Sequence, residues 1–259
     1  MTAFHDISVE CGGAVAHITL KRAGKLNAMR NQSADELRAA LAAAEADEAI
    51  KVAVITGEGR AFSAGYDLAS ISPDETPALD TVLEVHFNPL IRAMRASRLP
   101  IITAINGPCA GAAVGVALAG DIVIAARSAY FYEPFVGIAL VPDAGNTLFV
   151  SRLAGRVRAT PAMLLGDRIS AEEALSWGLV WRVFEDADLA AETEAIAKRL
   201  TERSPAAVAA TKRLIKAAYD AGMNEQLDLE RDLQGIAGRT PEMKAAIAAF
   251  LAGRKSDKG

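Results

Sequence analysis

The chain has 259 residues, 51% of them hydrophobic and 5% aromatic, with a formal net charge of −4. This supports one large domain, or a domain with an appendage, whose core is built from small and aliphatic side chains, and it excludes a general attraction to nucleic acid or anionic membrane. Two cysteines, Cys11 and Cys109, exclude a disulfide framework, and with neither a secretory signal nor a spanning segment in view a cytoplasmic protein is expected.

In chain order, Val15–Leu20 follows Gly12-Gly13, leaves through Lys21-Arg22 and reads as a strand. Ser33 with Glu36 is a capping-box pattern, and Leu37, Ala40, Leu41 and Ala44 share one face. An amphipathic helix with an acidic outer side is predicted from there. Residues 52–56 form the next strand, ended by Gly57 and Gly59, and AFSAGYDL at 61–68 is a glycine-containing loop. The polar, proline-bearing stretch 69–80 reads as a mobile loop or lid, and 81–96 as a helix kinked at Pro89. Ile101–Ile105 is an apolar strand, broken by Asn106-Gly107-Pro108 ahead of a helix in CAGAAVGVALAG, 109–120. Ile122–Ala126 is a strand, and 127–146 alternates short apolar runs with turns. Helices follow near 147–153 and 158–165. Another opens at the capping box of Ser170 and Glu173 and closes at Gly178, and 179–184 is the last strand. Beyond Asp186 the pattern is helical, over 188–203, 205–220, 223–237 and 241–252. Strands separated by helices predict an α/β fold with parallel pairing, and the helical last quarter predicts a division into 1–200 and 201–259.

Two stretches carry candidate chemistry. The helix within 109–120 has small residues at almost every position, which is poor on propensity. Either tight core packing or close approach to its backbone explains it. A strand running into such a helix exposes N–H groups that can hold an oxyanion. The loop at 61–68, also behind a strand, reads by itself as a turn. Two such loops aimed at one point make an oxyanion hole, where one donor is worth roughly 10²–10³ in rate. Asp143, in VPDAG, has two readings from the residues alone: a cap for the helix near Thr147, or a functional carboxylate. His5, His17 and His86 lack metal-ligand or triad spacing, so no metal site is expected, and Trp177 and Trp181 are assigned to core packing.

Together, LKRAGKLNAM at 20–29, AFSAGYDL, INGPCAGAAVGVALAGDIVIAA and GDRISAEEALSWGLVWRV resemble the crotonase (enoyl-CoA hydratase/isomerase) superfamily, in the family's order and over about residues 5–253. Within it, FNPLIR, GDIVIAARSA, LVPDAG and QLDLERDLQGIAGR are similar to the branch of isomerases acting on 1,2-epoxyphenylacetyl-CoA. The resemblance implies a crotonase-type ββα spiral core with a C-terminal helical trimerisation module. It also implies an acyl-CoA thioester substrate, and no cofactor beyond the CoA that the substrate carries. It maps oxyanion-hole N–H groups to Tyr66 and Ala112, and CoA or substrate contacts to Lys25, Ala28, Ala64, Tyr66, Asp67, Leu68 and Ala112. Lys21, Arg22 and Lys25 are available to the CoA phosphates, although Lys21 and Arg22 read equally as a solvated strand end. As partners it implies further copies of the chain, in a homotrimer or a dimer of trimers, with no nucleic acid and no membrane. FLAGRK at 250–255 ends a helix that would reach a neighbouring subunit.

The departures choose the subfamily. Hydratases of the superfamily carry one glutamate in the small-residue helix and a second near the following loop, and here Gly115 and Phe135 stand at those positions. Glu133, two residues from the second, is a reserve candidate. The isomerases place one carboxylate later, where Asp143 stands, and Asn146 replaces the usual glycine. The expectation is an isomerase in which Asp143 moves a proton along a thioester-bound acyl chain, its surroundings made apolar by Val136, Ile138, Leu140 and Val141. The alternatives are hydratase-like activity, aryl-CoA dehalogenase or hydrolase-like chemistry with Asp143 as nucleophile, and a non-catalytic CoA- or RNA-binding role. Phe135 in place of a tryptophan weighs against the dehalogenase, and the acidic helix at 33–48 against RNA.

Overall fold

The apolar runs lie side by side. β1 (Ile7–Gly12), β2 (Val15–Leu20), β3 (Val52–Gly57), β4 (Ile101–Ile105), β6 (Ile122–Ala126) and β9 (Arg182–Phe184) follow one another across one sheet, while β5 (Cys109–Ala110), β7 (Tyr130–Tyr132) and β8 (Ile169–Ser170) form a second. This is a computed structural model that describes residues 4–70 and 78–256, so most of the loop expected at 69–80 lies outside the described residues. From β2 to β9 neighbours are parallel, with Ile18 opposite Ile55, Ile55 opposite Thr103 and Ala125 opposite Val183. Parallel neighbours need crossover connections, and the helices supply them. β1 departs from the parallel expectation. It pairs antiparallel with β2 through a tight turn in which Gly13 takes φ +61°. Its outer half is exposed, so no apolar run announces it.

The chain divides into two units, Met1–Thr201 and Glu202–Gly259. The first holds both sheets and α1 (Asn31–Ala46), α2 (Leu79–Val82), α3 (Asn88–Ala96), α4 (Ala112–Leu118), α5 (Asn146–Ala154), α6 (Arg156–Leu165), α7 (Ala171–Trp177) and α8 (Leu189–Thr201). α1 starts ahead of the predicted capping box. Ser33 sits inside its first turn, accepting the Arg30 N–H at 2.9 Å and donating to buried Asp6 at 2.6 Å. Glu36 reaches the N–H groups of His5 and Asp6 instead of its own helix end. Between α2 and α3 the helix widens into a π turn at Leu83–Phe87, next to Pro89, which has no N–H to offer the preceding turn. The Ser170–Glu173 capping box at α7 forms as predicted.

The last strand is shorter than expected. Leu179 and Val180 are buried, but both N–H groups bond to the Ala174 carbonyl and close α7 through Gly178, at φ +79°. Trp181 is 47% exposed with the Arg182 guanidinium 4.3 Å from its ring, so core packing does not account for it. The second unit consists of α9 (Pro205–Ala217), α10 (Met223–Ala237) and α11 (Pro241–Ser256). Gln226 Nε2 donates to the Leu214 carbonyl at 3.2 Å and ties α10 to α9.

Candidate active site

Two loops, one after β3 and one after β4, meet beyond the strand ends. Asn27 Nδ2 donates to the carbonyls of Glu58 and Ala61, and Asn106 Nδ2 to those of Gly57 and Gly59, which shapes the first loop. Ser63 N–H then bonds Pro108 O at 3.1 Å, and Ala110 N–H bonds Ser63 O at 2.9 Å, joining it to the second. The approach is so close that a Cβ on Gly65 would stand 2.6 Å from the Ala110 carbonyl oxygen, and Gly65 has φ +92°. Only glycine fits there. Met29 bonds on either side of Tyr66, to Gly65 O and Asp67 N–H, and leaves the Tyr66 N–H out of that ladder. On the other loop, Gly111 donates to Tyr132 O at 2.9 Å and turns at φ +56° into α4. The Ala112 N–H falls in the first helical turn, which has no acceptor four residues back. Neither N–H has a backbone acceptor among the described residues. Within the 109–120 stretch read as helical, Cys109–Ala110 form the two-residue strand β5 and α4 begins only at Ala112.

These loops open on an apolar cavity of about 600 Å³, mouth included, whose lining includes Ala64, Tyr66, Leu68, Ala112, Phe135 and Asp143. Ile138 and Leu140 belong to the lining as well, whereas Val141 is 78% exposed and does not contribute to the surroundings of Asp143 as expected. Asp143 opens a tight turn closed by Asn146 N–H on its carbonyl at 2.9 Å, with Ala144 at φ +49° and Gly145 at φ +84°. Gly145 is the cap residue of α5, so the capping reading of Asp143 is overturned. Its Oδ1 meets no protein donor. Burial pushes the carboxyl up to about 6, opposed in part by its own backbone amide.

At Gly115 a Cβ would stand 2.1 Å from the Ala144 carbonyl oxygen, so the turn that carries Asp143 fills the space a longer side chain would need. Phe135 is 5% exposed. Asn146 is wholly buried and its Nδ2 donates to Gly111 O at 3.0 Å, holding the peptide unit whose other end is the Ala112 N–H. Glu133 is 1% exposed with no donor on either carboxylate oxygen, and burial first, then the charge of Asp143, push it up to about 8.

Of the residues predicted to contact CoA, Ala64, Tyr66, Leu68 and Ala112 line the cavity and Lys25, Ala28 and Asp67 do not. Asp67 is buried and pairs with Arg22 Nη2 at 2.8 Å, while Arg22 Nη1 donates to the Ala28 carbonyl. Both terminal nitrogens of Arg22 are therefore engaged within the protein, so it is not a solvated strand end. Lys21 and Lys25 are exposed. The hydrogen bond of Asn146 and the isolation of Glu133 escaped sequence reasoning, and the only signal was an asparagine in the place of a glycine. Among the described residues no cluster of His, Cys, Asp and Glu is placed to hold a metal, and no helix is long and apolar enough to cross a membrane.

A parallel sheet that delivers two glycine-bounded loops to an apolar cavity is here the crotonase architecture of acyl-CoA hydratases and isomerases. The chain belongs to the enoyl-CoA hydratase/isomerase family, whose model matches residues 10–258. It is 40% identical to the 1,2-epoxyphenylacetyl-CoA isomerase of Escherichia coli over 93% of each chain. It is 39% identical to the probable enoyl-CoA hydratase of Rhodobacter capsulatus over 96% of each. The crystal structure of an enoyl-CoA hydratase from Polaromonas sp. JS666 matches with a TM-score of 0.91 and 32% identity, covering 95% of this chain and 97% of that one.

Proposed function

We propose that this chain is an acyl-CoA isomerase in which Asp143 alone takes a proton from the acyl chain and returns it at another carbon, while the N–H groups of Tyr66 and Ala112 hold the thioester enolate oxygen. The observation that supports this reading is a cavity lined by both Tyr66 and Ala112, whose N–H groups have no backbone acceptor, and, among the described residues, by one carboxylate, Asp143, whose Oδ1 has no protein donor. Addition of water by two carboxylates is disfavoured, because Gly115 and Phe135 stand where a hydratase has glutamates and Ala144 fills the space beside Gly115. The substrate is a 3-enoyl-CoA shifted to the 2-enoyl form, or a ring-epoxidised phenylacetyl-CoA rearranging to an oxepin. Similarity to an enzyme named for 1,2-epoxyphenylacetyl-CoA favours the ring substrate. Lys21 and Lys25, both exposed, serve the CoA phosphates in this reading, and the 202–259 unit assembles a homotrimer or dimer of trimers.

A paired assay tests this: 3-hexenoyl-CoA for isomerisation and crotonyl-CoA for hydration, then the ring epoxide. Isomerisation without hydration is expected, with activity rising as pH passes about 6 and Asp143 ionises. Asp143→Asn should lower kcat by a factor on the order of 10²–10⁴ with CoA-ester binding kept. Robust hydration, or a fully active Asp143→Asn, would refute the single-carboxylate mechanism.

A further inference from the structure

Four buried acids among the described residues have very different surroundings. Asp6 accepts Arg30 Nε at 2.9 Å and the Ser33 hydroxyl at 2.6 Å. Glu36 accepts the His5 and Asp6 N–H groups at 2.9 and 2.8 Å and the Gln32 amide at 2.9 Å. Asp67 has Arg22 at 2.8 Å. Glu133, at 1% exposure the most buried of the four, receives no donor on either oxygen. An ionised carboxylate inside a protein needs a paired cation or several hydrogen bonds, and a carboxylic acid does not.

The groups around Glu133 do not supply that need. Cys109, from β5, is a buried thiol that burial and the neighbouring Glu133 charge push well up. Asp143, from the turn before α5, is a second acid. Gly166, at the end of α6, lies so close to the Glu133 carbonyl that its Cβ would be 3.3 Å away. The residue itself is fixed between Tyr132, whose carbonyl holds the Gly111 N–H, and Pro134 in the cavity wall.

We propose that Glu133 is a positioning residue for Asp143: a carboxylic acid that keeps its proton behind the cavity wall, so that the two acids together carry one negative charge. This rests on the reading of Asp143 as the base. When Asp143 takes the substrate proton, a C–H bond breaks, an O–H bond forms on Asp143, and the electron pair moves to the thioester oxygen. The charge of the site is minus one before and after, and the proton on Glu133 does not move. With Glu133 ionised, the enolate would form beside a second, uncompensated negative charge, which opposes it. Ionisation of Glu133, near pH 8, therefore lowers the rate.

Two measurements separate this proposal from the function on which it rests. Difference infrared spectra of wild type against Glu133→Gln should show, at pH 7, the C=O stretch of a protonated carboxylic acid that the variant lacks. That band should disappear as pH rises past about 8, and at a lower pH in Asp143→Asn, where the neighbouring charge is gone. With 3-hexenoyl-CoA, wild-type kcat should fall by up to about tenfold per pH unit above that titration, and the alkaline fall should flatten in Glu133→Gln relative to its own value at pH 7. Absence of the band at pH 7, an unshifted titration in Asp143→Asn, or an unchanged alkaline fall in Glu133→Gln would each overturn the proposal. A wild type that isomerises nothing would refute the function, while the infrared titrations still decide whether Glu133 holds its proton beside Asp143.

Discussion

At the scale of single residues, Asn146 makes the sharpest test. Its Nδ2 holds Gly111 O at 3.0 Å, and Gly111 C=O and Ala112 N–H are two ends of one peptide plane. A hydrogen bond on the carbonyl fixes that plane and polarises its N–H. Asn146→Ala should lower kcat on the order of tenfold, or ~1.4 kcal/mol of lost enolate stabilisation, with KM for the CoA ester little changed. Steady-state kinetics on the folded variant check this, and an unaltered kcat would remove Asn146 from the positioning of Ala112. Residue type alone makes a hydrogen bond of this kind invisible. The sequence shows an asparagine near a turn, which is unremarkable, and only the fold brings it against Gly111, 35 positions earlier. Asp143 was more legible because its motif marked it, yet its residue chemistry left a helix cap equally open until Gly145 proved to hold that place.

At the scale of elements, α4 explains why small residues are required. All seven of its residues are buried, and Gly115 faces the Ala144 backbone so closely that a Cβ would stand 2.1 Å from the carbonyl oxygen. Backbone cannot yield as the tip of a side chain can. Gly115→Ala should therefore destabilise by about 1–3 kcal/mol, although alanine is the better helix former, and should lower kcat by displacing the Asp143 turn. Gly24→Ala, where nothing lies within 4 Å, is the control that should change neither. Thermal melts and kinetics of the pair decide it, and equal behaviour would mean that packing does not require the glycine. Elements with strong local signals were legible: the parallel strands, the Ser170–Glu173 cap and the late helices formed as the pattern implied. The misreadings have separate causes. Buried Asp6 draws Ser33 and Glu36 away from a capping box, Ala174 takes the N–H groups of Leu179 and Val180 from the sheet, and half-exposed β1 offers no apolar run.

At the scale of the whole molecule, the 202–259 unit is the part whose sequence and surface disagree with life as a single chain. Neither α9 nor α10 buries a single side chain fully, and Ile215, Met223, Leu227, Ile236 and Phe250 are 54–79% exposed. A short helical unit without a closed core has little stability to draw on by itself, and apolar side chains at this density mark a surface that associates. The occupant favoured by the family reading is another copy of this chain. Sedimentation velocity at micromolar concentration should give three or six times the mass of one chain, and a Met223→Lys, Ile236→Lys double variant should give a smaller species. The two outcomes have different consequences for the site. A variant that dissociates and retains full kcat would show that each chain carries a complete cavity in its first unit. One that dissociates and loses kcat, while its far-ultraviolet circular dichroism is unchanged, would show that association completes the site. A wild type that sediments as one chain would refute assembly through this surface and leave those apolar residues to a different partner.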